Sequence, residues 1–328
     1  MTITRRHGLA FSLAAIPVMR TARAQPAAGW KPSRPVRLVL PFSPGGLTDI
    51  LARQAAEALT PILGQSVVVE NRAGAGGNLA AENVARSAPD GHSLLIATQG
   101  IIEINKALYT RLGYDPDADF VPLGMLGQQP NLLVVSAQRY PRETLAEVLS
   151  AARGRAGGLS YGSNGAGSFT HLSMELLRSR ATAEMTHVPY RGSAPMLTDL
   201  VSGTLDIAFD GLGTSLPQVQ SGGLRALAVS SPGRSALLPE VPAVAETLPG
   251  FDATPWYGVF AAAGTPPAIL AAWEAAWQAL LTGPAWARIL VERQVDPLPG
   301  GRDVLIAHIA AERAVWREVV RSTGARAD

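Results

Sequence analysis

Nine residues constrain this chain more than any other stretch: Pro41-Phe42-Ser43-Pro44-Gly45-Gly46-Leu47-Thr48-Asp49. An apolar segment, 36–40, reads as a strand running in, and 50–63 reads as a helix running out. The prolines stop the strand and stiffen the turn. The two glycines permit a tight path with no side chain in the way. The first N–H groups of the helix have no partner within it, and the helix dipole makes that end positive. A strand–Gly-Gly–helix junction is therefore a cradle for a small anion such as a carboxylate. No lysine follows the glycines, so it is not a nucleotide-phosphate loop of the Walker type. The alternative is a tight turn that binds nothing.

With 328 residues, 47% hydrophobic and 16% charged, the chain can build two domains with substantial cores. Its 33 glycines and 25 prolines show no repeat period. Residues 1–24 have the form of an export signal: Arg5 and Arg6, an apolar run to Val18 too short to span a bilayer, then Ala22-Arg23-Ala24. Cleavage is expected after Ala24, and Thr4-Arg5-Arg6 also admits the twin-arginine route. Without Arg5, Arg6, Arg20 and Arg23 the 28 basic residues become 24 against 26 acidic. That balance speaks against nucleic-acid binding. No later segment has 18 uninterrupted apolar residues. There is no cysteine, which excludes disulfides and thiolate chemistry, and the periplasm is the expected location. The five histidines, His7 among them, are scattered, so no metal and no cofactor is expected.

The next strands are expected at 66–70 and 93–98, with a helix at 79–86 between them. The resulting βαβαβ order argues a parallel sheet covered by helices, an α/β fold. The helix after Gly46 is expected to end early because of Pro61. Gly74-Ala75-Gly76-Gly77 is not a dinucleotide fingerprint: Leu79 stands where the third glycine belongs, and the loop follows the second strand. Further strands are expected at 119–126, 131–136, 188–190, 205–209, 224–230 and 255–261. Further helices are expected at 144–153 and 194–201, with 268–281, 284–295 and 302–323 closing the chain. Residues 232–249 read as irregular, and Trp273, Trp277, Trp286 and Trp316 as core.

A second strand–glycine–helix junction lies at 159–180, through Ser163-Asn164-Gly165-Ala166-Gly167-Ser168-Phe169-Thr170-His171. Two such cradles, one in each half, are a stronger signal than one. The same stretch holds Gly158-Leu159-Ser160-Tyr161-Gly162, a formal G-x-S-x-G match, and His171 and Asp210 could complete a triad on paper. A secreted serine hydrolase using Ser160 is the alternative function. A nucleophile elbow, however, needs the helix to start directly after the serine.

Several segments together carry a resemblance. They are 35–49, Val67-Val68-Val69-Glu70-Asn71-Arg72-Ala73-Gly74-Ala75-Gly76-Gly77-Asn78, Ala88-Pro89-Asp90-Gly91-His92-Ser93-Leu94-Leu95 and His187-Val188-Pro189-Tyr190-Arg191-Gly192-Ser193-Ala194-Pro195. Leu224 to Val229 and Leu238 to Pro242 add to them. Over essentially the whole mature chain the sequence resembles the Bug family, the substrate-binding proteins of tripartite tricarboxylate transporters.

The resemblance implies a two-lobed type II periplasmic binding protein, a Venus flytrap with a helix-flanked sheet in each lobe. It implies a receptor without catalysis, a monomer that binds a small carboxylate between its lobes. The receptor would hand its ligand to membrane transporter subunits or to a sensor. Carried over residue by residue, the first ligand loop is Phe42, Ser43, Gly45, Gly46, Leu47, Thr48 and Asp49. The second is Ser163, Gly165, Ala166, Gly167, Ser168, Phe169 and Thr170, flanked by Asn164 and His171, with Asp210 facing the cleft. Asp49 and Asp210 could equally cap backbone or loops, while Arg72 and Arg191 read as structural. Lobe one is expected at 26–126 plus 251–328 and lobe two at 127–250, with crossings near Gly127 and Gly250. Leu47, Ala166 and Phe169 stand where relatives carry smaller or more polar residues. If they face the cleft, an aromatic or apolar monocarboxylate suits it better than citrate, because no lysine or arginine cluster offsets several charges.

Overall fold

A computed structural model describes residues 29–154, 157–296 and 301–327, and the expected export signal lies outside them. The chain opens as expected, with β1 (Val36–Leu40), α1 (Leu47–Leu63), β2 (Val67–Asn71), α2 (Asn78–Ala85) and β3 (Ser93–Ala97). Pro61 does not end α1 early; the helix runs to Leu63 and closes on Gly64, at φ 70°. A left-handed glycine there lets the Gly64 N–H reach the carbonyl of Thr60.

A helical segment at Gly100–Leu108 was not legible in the sequence; it is a π-turn, Gly100–Ile104, running into α3, Asn105–Leu108. Then β4 (Phe120–Gln128) leads across to β5 (Asn131–Ser136) and α4 (Leu145–Gly154). β6 (Leu159–Ser163), α5 (Phe169–Ala181), β7 (Met185–Pro189), α6 (Ser193–Val201) and β8 (Ile207–Gly211) repeat the opening βαβαβ. α7 (Leu212–Gln220) was also missed, since Gly213 and Pro217 make it a weak helix by propensity. It is followed by β9 (Leu224–Val229) and the one-turn α8 (Val244–Thr247). The chain returns through β10 (Trp256–Ala262) and ends in α9 (Pro267–Leu281), α10 (Pro284–Glu292) and α11 (Arg302–Thr323).

The strands form two five-stranded sheets, β2-β1-β3-β10-β4 and β7-β6-β8-β5-β9. In each sheet three neighbouring strands run parallel, and one strand is inserted antiparallel: β10 in the first, β5 in the second. Helices flank both sheets, giving two lobes. The chain passes between sheets at 128–131 and returns at 229–256, and the two crossings touch where the Gln129 N–H donates to the Pro255 carbonyl at 3.0 Å.

α11 belongs to both halves. Leu305 and Ile309 join the core against the first sheet, while Trp316, Val319 and Val320 join the core of the second. Trp273, Trp277, Trp286 and Trp316 are all buried. Three of them, Trp273, Trp277 and Trp286, sit in one core of the first half, and Trp316 in that of the second.

Candidate ligand-binding cleft

Parallel strands followed by helices place every helix N-terminus at the carboxyl edge of its sheet, where α/β proteins keep their ligand crevice. Here both sheets turn that edge toward a shared cavity of about 750 Å³. From the first half the cavity takes residues after β1 (Ser43, Thr48), β2 (Gly74, Gly77) and β3 (Thr98, Gly100). From the second it takes residues after β6 (Ala166, Thr170) and β7 (Ser193), the last residue of β8 (Gly211), and Thr214 beyond it. Among the described residues, no Asp, Glu, Lys, Arg or His lines the cavity. Any anion held here is held by backbone N–H groups and neutral side chains.

The first loop shows how. Gly45 adopts φ 91°, a conformation that favours glycine, and its N–H donates to Asp49 Oδ2 at 3.0 Å. Asp49 is 3% exposed and also takes both branches of Arg53, at 2.9 and 3.0 Å, and the Asn71 amide at 2.9 Å. The Arg53 bonds, with those of Gly45 and Asn71, hold its carboxyl down to about 2 against the opposing effect of burial. Asp49 is thus a strut tying loop to helix and to β2, and it does not line the cavity. Leu47 turns away as well, packing on the core of the first half, and Gly45 and Gly46 are exposed and do not line the cavity. Phe42, Ser43 and Thr48 face the cavity, and the N–H groups of Ser43 and Thr48 have no hydrogen-bond partner among the described residues.

The second loop spends more of its donors on itself. Asn164 N–H goes to Thr170 Oγ1 at 3.0 Å, Gly165 N–H to Ser163 Oγ at 3.2 Å, and Gly167 N–H to His171 Nδ1 at 3.0 Å. Ser168 caps α5 by accepting the His171 N–H at 3.2 Å. This leaves the N–H groups of Ala166, Phe169 and Thr170 without a partner among the described residues, and all three residues line the cavity. Gly165, Gly167 and Ser168 line it too, while Ser163, fully buried, supports the loop from below and meets His187 Nε2 at 2.7 Å. His187 and His171 stack at 4.0 Å, and His187 lies 5.0 Å from Tyr161. Burial, and the neighbouring imidazole, push His187 down to about 4; burial lowers His171. A neutral His171 is what lets Nδ1 accept from Gly167.

Phe169 divides itself. Its ring lies 5.0 Å from that of Trp316 and packs on the second core, leaving only part of it to line the cavity. Asp210, fully buried, stands behind the lining, bound by the hydroxyls of Ser193, Thr214 and Ser215. The apolar wall comes instead from Leu108, Tyr109 and Tyr257, which the loop motifs did not point to. Ser193, Gly211 and Thr214 were likewise missed as lining residues. Their position just after the carboxyl ends of β7 and β8 was the usable signal.

The hydrolase alternative fails on geometry. Ser160 lies near the start of β6, away from the cleft edge, and donates to Asp206 Oδ2 at 2.8 Å. A five-residue loop separates β6 from α5, so there is no elbow. His171 faces Gly167 and His187.

Comparisons with known proteins show the family and the fold. Residues 51–325 match the family described as tripartite tricarboxylate transporter family receptor. Protein BugT of Bordetella pertussis is 35% identical over 297 residues, covering 90% of this chain and 91% of that protein. Among solved structures, R. palustris Rpa4515 with adipate is 39% identical with a TM-score of 0.75, covering 89% of this chain and 98% of that one. MatC (Rpa3494) from Rhodopseudomonas palustris with bound malate is 34% identical with a TM-score of 0.72, covering 88% of this chain and 99% of that one.

Proposed function

Given that this chain belongs to the tripartite tricarboxylate transporter receptor family, whose members are solute receptors, we propose how it holds its carboxylate and which carboxylate it prefers. The anion sits between the first loop (Ser43, Thr48) and the second (Ala166, Phe169, Thr170), on backbone N–H groups and helix N-termini. The observation that carries this is the cavity itself: between two lobes, ringed by helix starts, with no charged side chain in its lining among the described residues. Hydrogen bonds to a charged group contribute roughly 1.5–3 kcal/mol each, so about four give a gross ~6–12 kcal/mol before association costs. Micromolar affinity, about −8 kcal/mol, lies within that range.

The lobes we assign are 26–126 with 251–328, and 127–250; the strand membership of the two sheets supports that division to within two residues, since Gly127 and Gln128 end β4 in the first sheet. Closure of one on the other would bury the anion away from water. The protein is read as a periplasmic monomer, exported by residues 1–24, that delivers its ligand to membrane transporter subunits or to a sensor and performs no catalysis. No helix among the described residues is long and apolar enough to cross a membrane.

The relatives named above are described with adipate and with malate. For this chain we infer a preference for an aromatic or apolar monocarboxylate over citrate. Tyr109, Tyr257, Leu108 and the accessible part of Phe169 give the body of such a ligand an apolar wall, and nothing in the lining neutralises further charges. A thermal-shift panel of benzoate, adipate, malate and citrate at pH 8 tests this. Benzoate is expected to raise Tm with citrate silent; stabilisation by citrate alone would overturn it. Phe169→Ser, if folded, is expected to weaken benzoate about three- to ten-fold, consistent with ~0.5–1.5 kcal/mol for a ring contact.

A further inference from the structure

We propose that Asp210 makes the second-lobe end of the cavity an acceptor surface, selecting ligands with a hydrogen-bond donor, hydroxyl or ammonium, at the end away from the carboxylate. This rests on the reading of the cavity as a carboxylate site. Asp210 is fully buried at the end of β8, where α6 and α7 both begin. Ser193 Oγ donates to its Oδ1 at 2.5 Å and Thr214 Oγ1 to its Oδ2 at 2.5 Å, with Ser215 Oγ on Oδ2 at 3.2 Å.

A hydroxyl has one proton and two lone pairs. Ser193 also lies 3.4 Å from Asn164 Oδ1, and Thr214 lies 3.0 Å from the Gly211 carbonyl. The shorter, charge-assisted contact to the carboxylate takes each proton. Ser193 and Thr214 line the cavity, so what they offer a ligand is lone pairs. They can accept from it and cannot donate to its carboxylate.

Charge points the same way. Two carboxylates stand near helix N-termini around this cleft. Asp49 is neutralised by Arg53, whereas no Lys, Arg or His lies within ion-pair distance of Asp210 among the described residues. The α6 and α7 end therefore already holds an anion of the protein's own. A second ligand carboxylate placed there meets a like charge and two hydroxyls turned the wrong way. A hydroxyl or ammonium meets two acceptors backed by a negative charge.

Four acids of equal length that differ only at the far end test this by calorimetry at pH 8: hexanoate, 6-hydroxyhexanoate, 6-aminohexanoate and adipate. In the wild-type protein the hydroxy or amino acid is expected to bind at least ten-fold more tightly than hexanoate, and adipate no better than hexanoate. The hydroxyl and ammonium arms separate the two donor sources. Asp210→Asn removes the charge, and its amide can donate to one of Ser193 and Thr214 and turn that proton outward; it is expected to shrink that ratio and improve adipate. Thr214→Val changes an exposed side chain and should leave folding intact, and it is expected to shrink the ratio as well. A wild-type protein that binds adipate best, or a donor preference unchanged in a folded Asp210→Asn and in Thr214→Val, overturns the proposal. Binding of hexanoate with no donor preference overturns it while leaving the carboxylate site standing. Failure of all four to bind overturns both.

Discussion

Replacing Glu103 with glutamine is expected to stabilise the protein at pH 8 by up to about 4 kcal/mol and to change stability at pH 5 by under about 1 kcal/mol. Glu103 lies in the π-turn after β3, 1% exposed, and neither carboxyl oxygen has a hydrogen-bond partner among the described residues. Burial, and then the nearby Glu312, push its carboxyl up to about 9. Arg313 and Arg317 act in the opposite direction from α11, but both are engaged by Asp117, at 2.7 and 3.5 Å. His308, on the same helix, lies 3.2 Å from Glu312, and Asp252, also buried, adds a further acid to the surroundings of Glu312 and His308.

In the unfolded chain Glu103 loses its proton near the ordinary glutamate value, whereas folding retains it to about 9. Between those two values the folded state binds the extra proton, so stability falls as pH rises, by about 1.4 kcal/mol per unit. A carboxamide has the shape of the neutral acid and does not titrate, so its advantage grows with pH. Urea denaturation of both proteins at pH 5 and pH 8 measures it. Equal stability of the two proteins at pH 8, or a gain at pH 5 as large as that at pH 8, would falsify this account.

Asp49→Ala is expected to weaken carboxylate binding at least thirty-fold without removing any group that lines the cavity. The wild-type carboxylate fixes the Gly45 N–H, the Asn71 amide and Arg53 together, and so sets the path along which Ser43 and Thr48 present their N–H groups. Loss of its hydrogen bonds should also cost at least about 2 kcal/mol of stability. Because the folded carboxyl titrates at about 2, below its ordinary 3.8, its contribution is present above pH 4 and lost as pH falls through about 2. Arg53→Ala separates the parts: it removes the cation but leaves Gly45 and Asn71 bound, and should cost affinity much less. Calorimetry with benzoate reads both variants, with circular dichroism to confirm folding. If Asp49→Ala binds as the wild type does, the loop is held by its own backbone and the strut is idle.

The two junctions were legible because their chemistry is local. Glycines fall at Gly45, Gly165 and Gly167, where φ is 91°, 129° and 75°, and a strand precedes and a helix follows each loop. Short-range sterics settle such a path within a few residues. The βαβαβ order of each half, and with it the cleft at the strand ends, follows from the same kind of information. α7 escaped because its glycine and proline weaken the local helix signal, and the segment at Gly100–Leu108 because a π-turn interrupts the 3.6-residue period.

Which way a side chain turns was a different matter. Asp49 at a helix start could meet a ligand or cap a loop; Gly45 and Arg53, four residues away on either side, took its carboxylate together with Asn71 from β2. Phe169 turned largely toward Trp316 because α11, threading back from the far end of the chain, reaches the second core there. The same helix covers Glu103, whose acidity no pattern around Gly100–Ile104 could have revealed. Asp210 became the anchor of Ser193, Thr214 and Ser215 only when α6 and α7 met at the end of β8. By itself the sequence determined the turns, the element order and therefore where a crevice opens, since backbone conformation answers to neighbours along the chain. Only the tertiary structure decided which polar groups face that crevice and which are consumed behind it, because hydrogen-bond partners and burial are assigned by contacts between segments far apart in sequence.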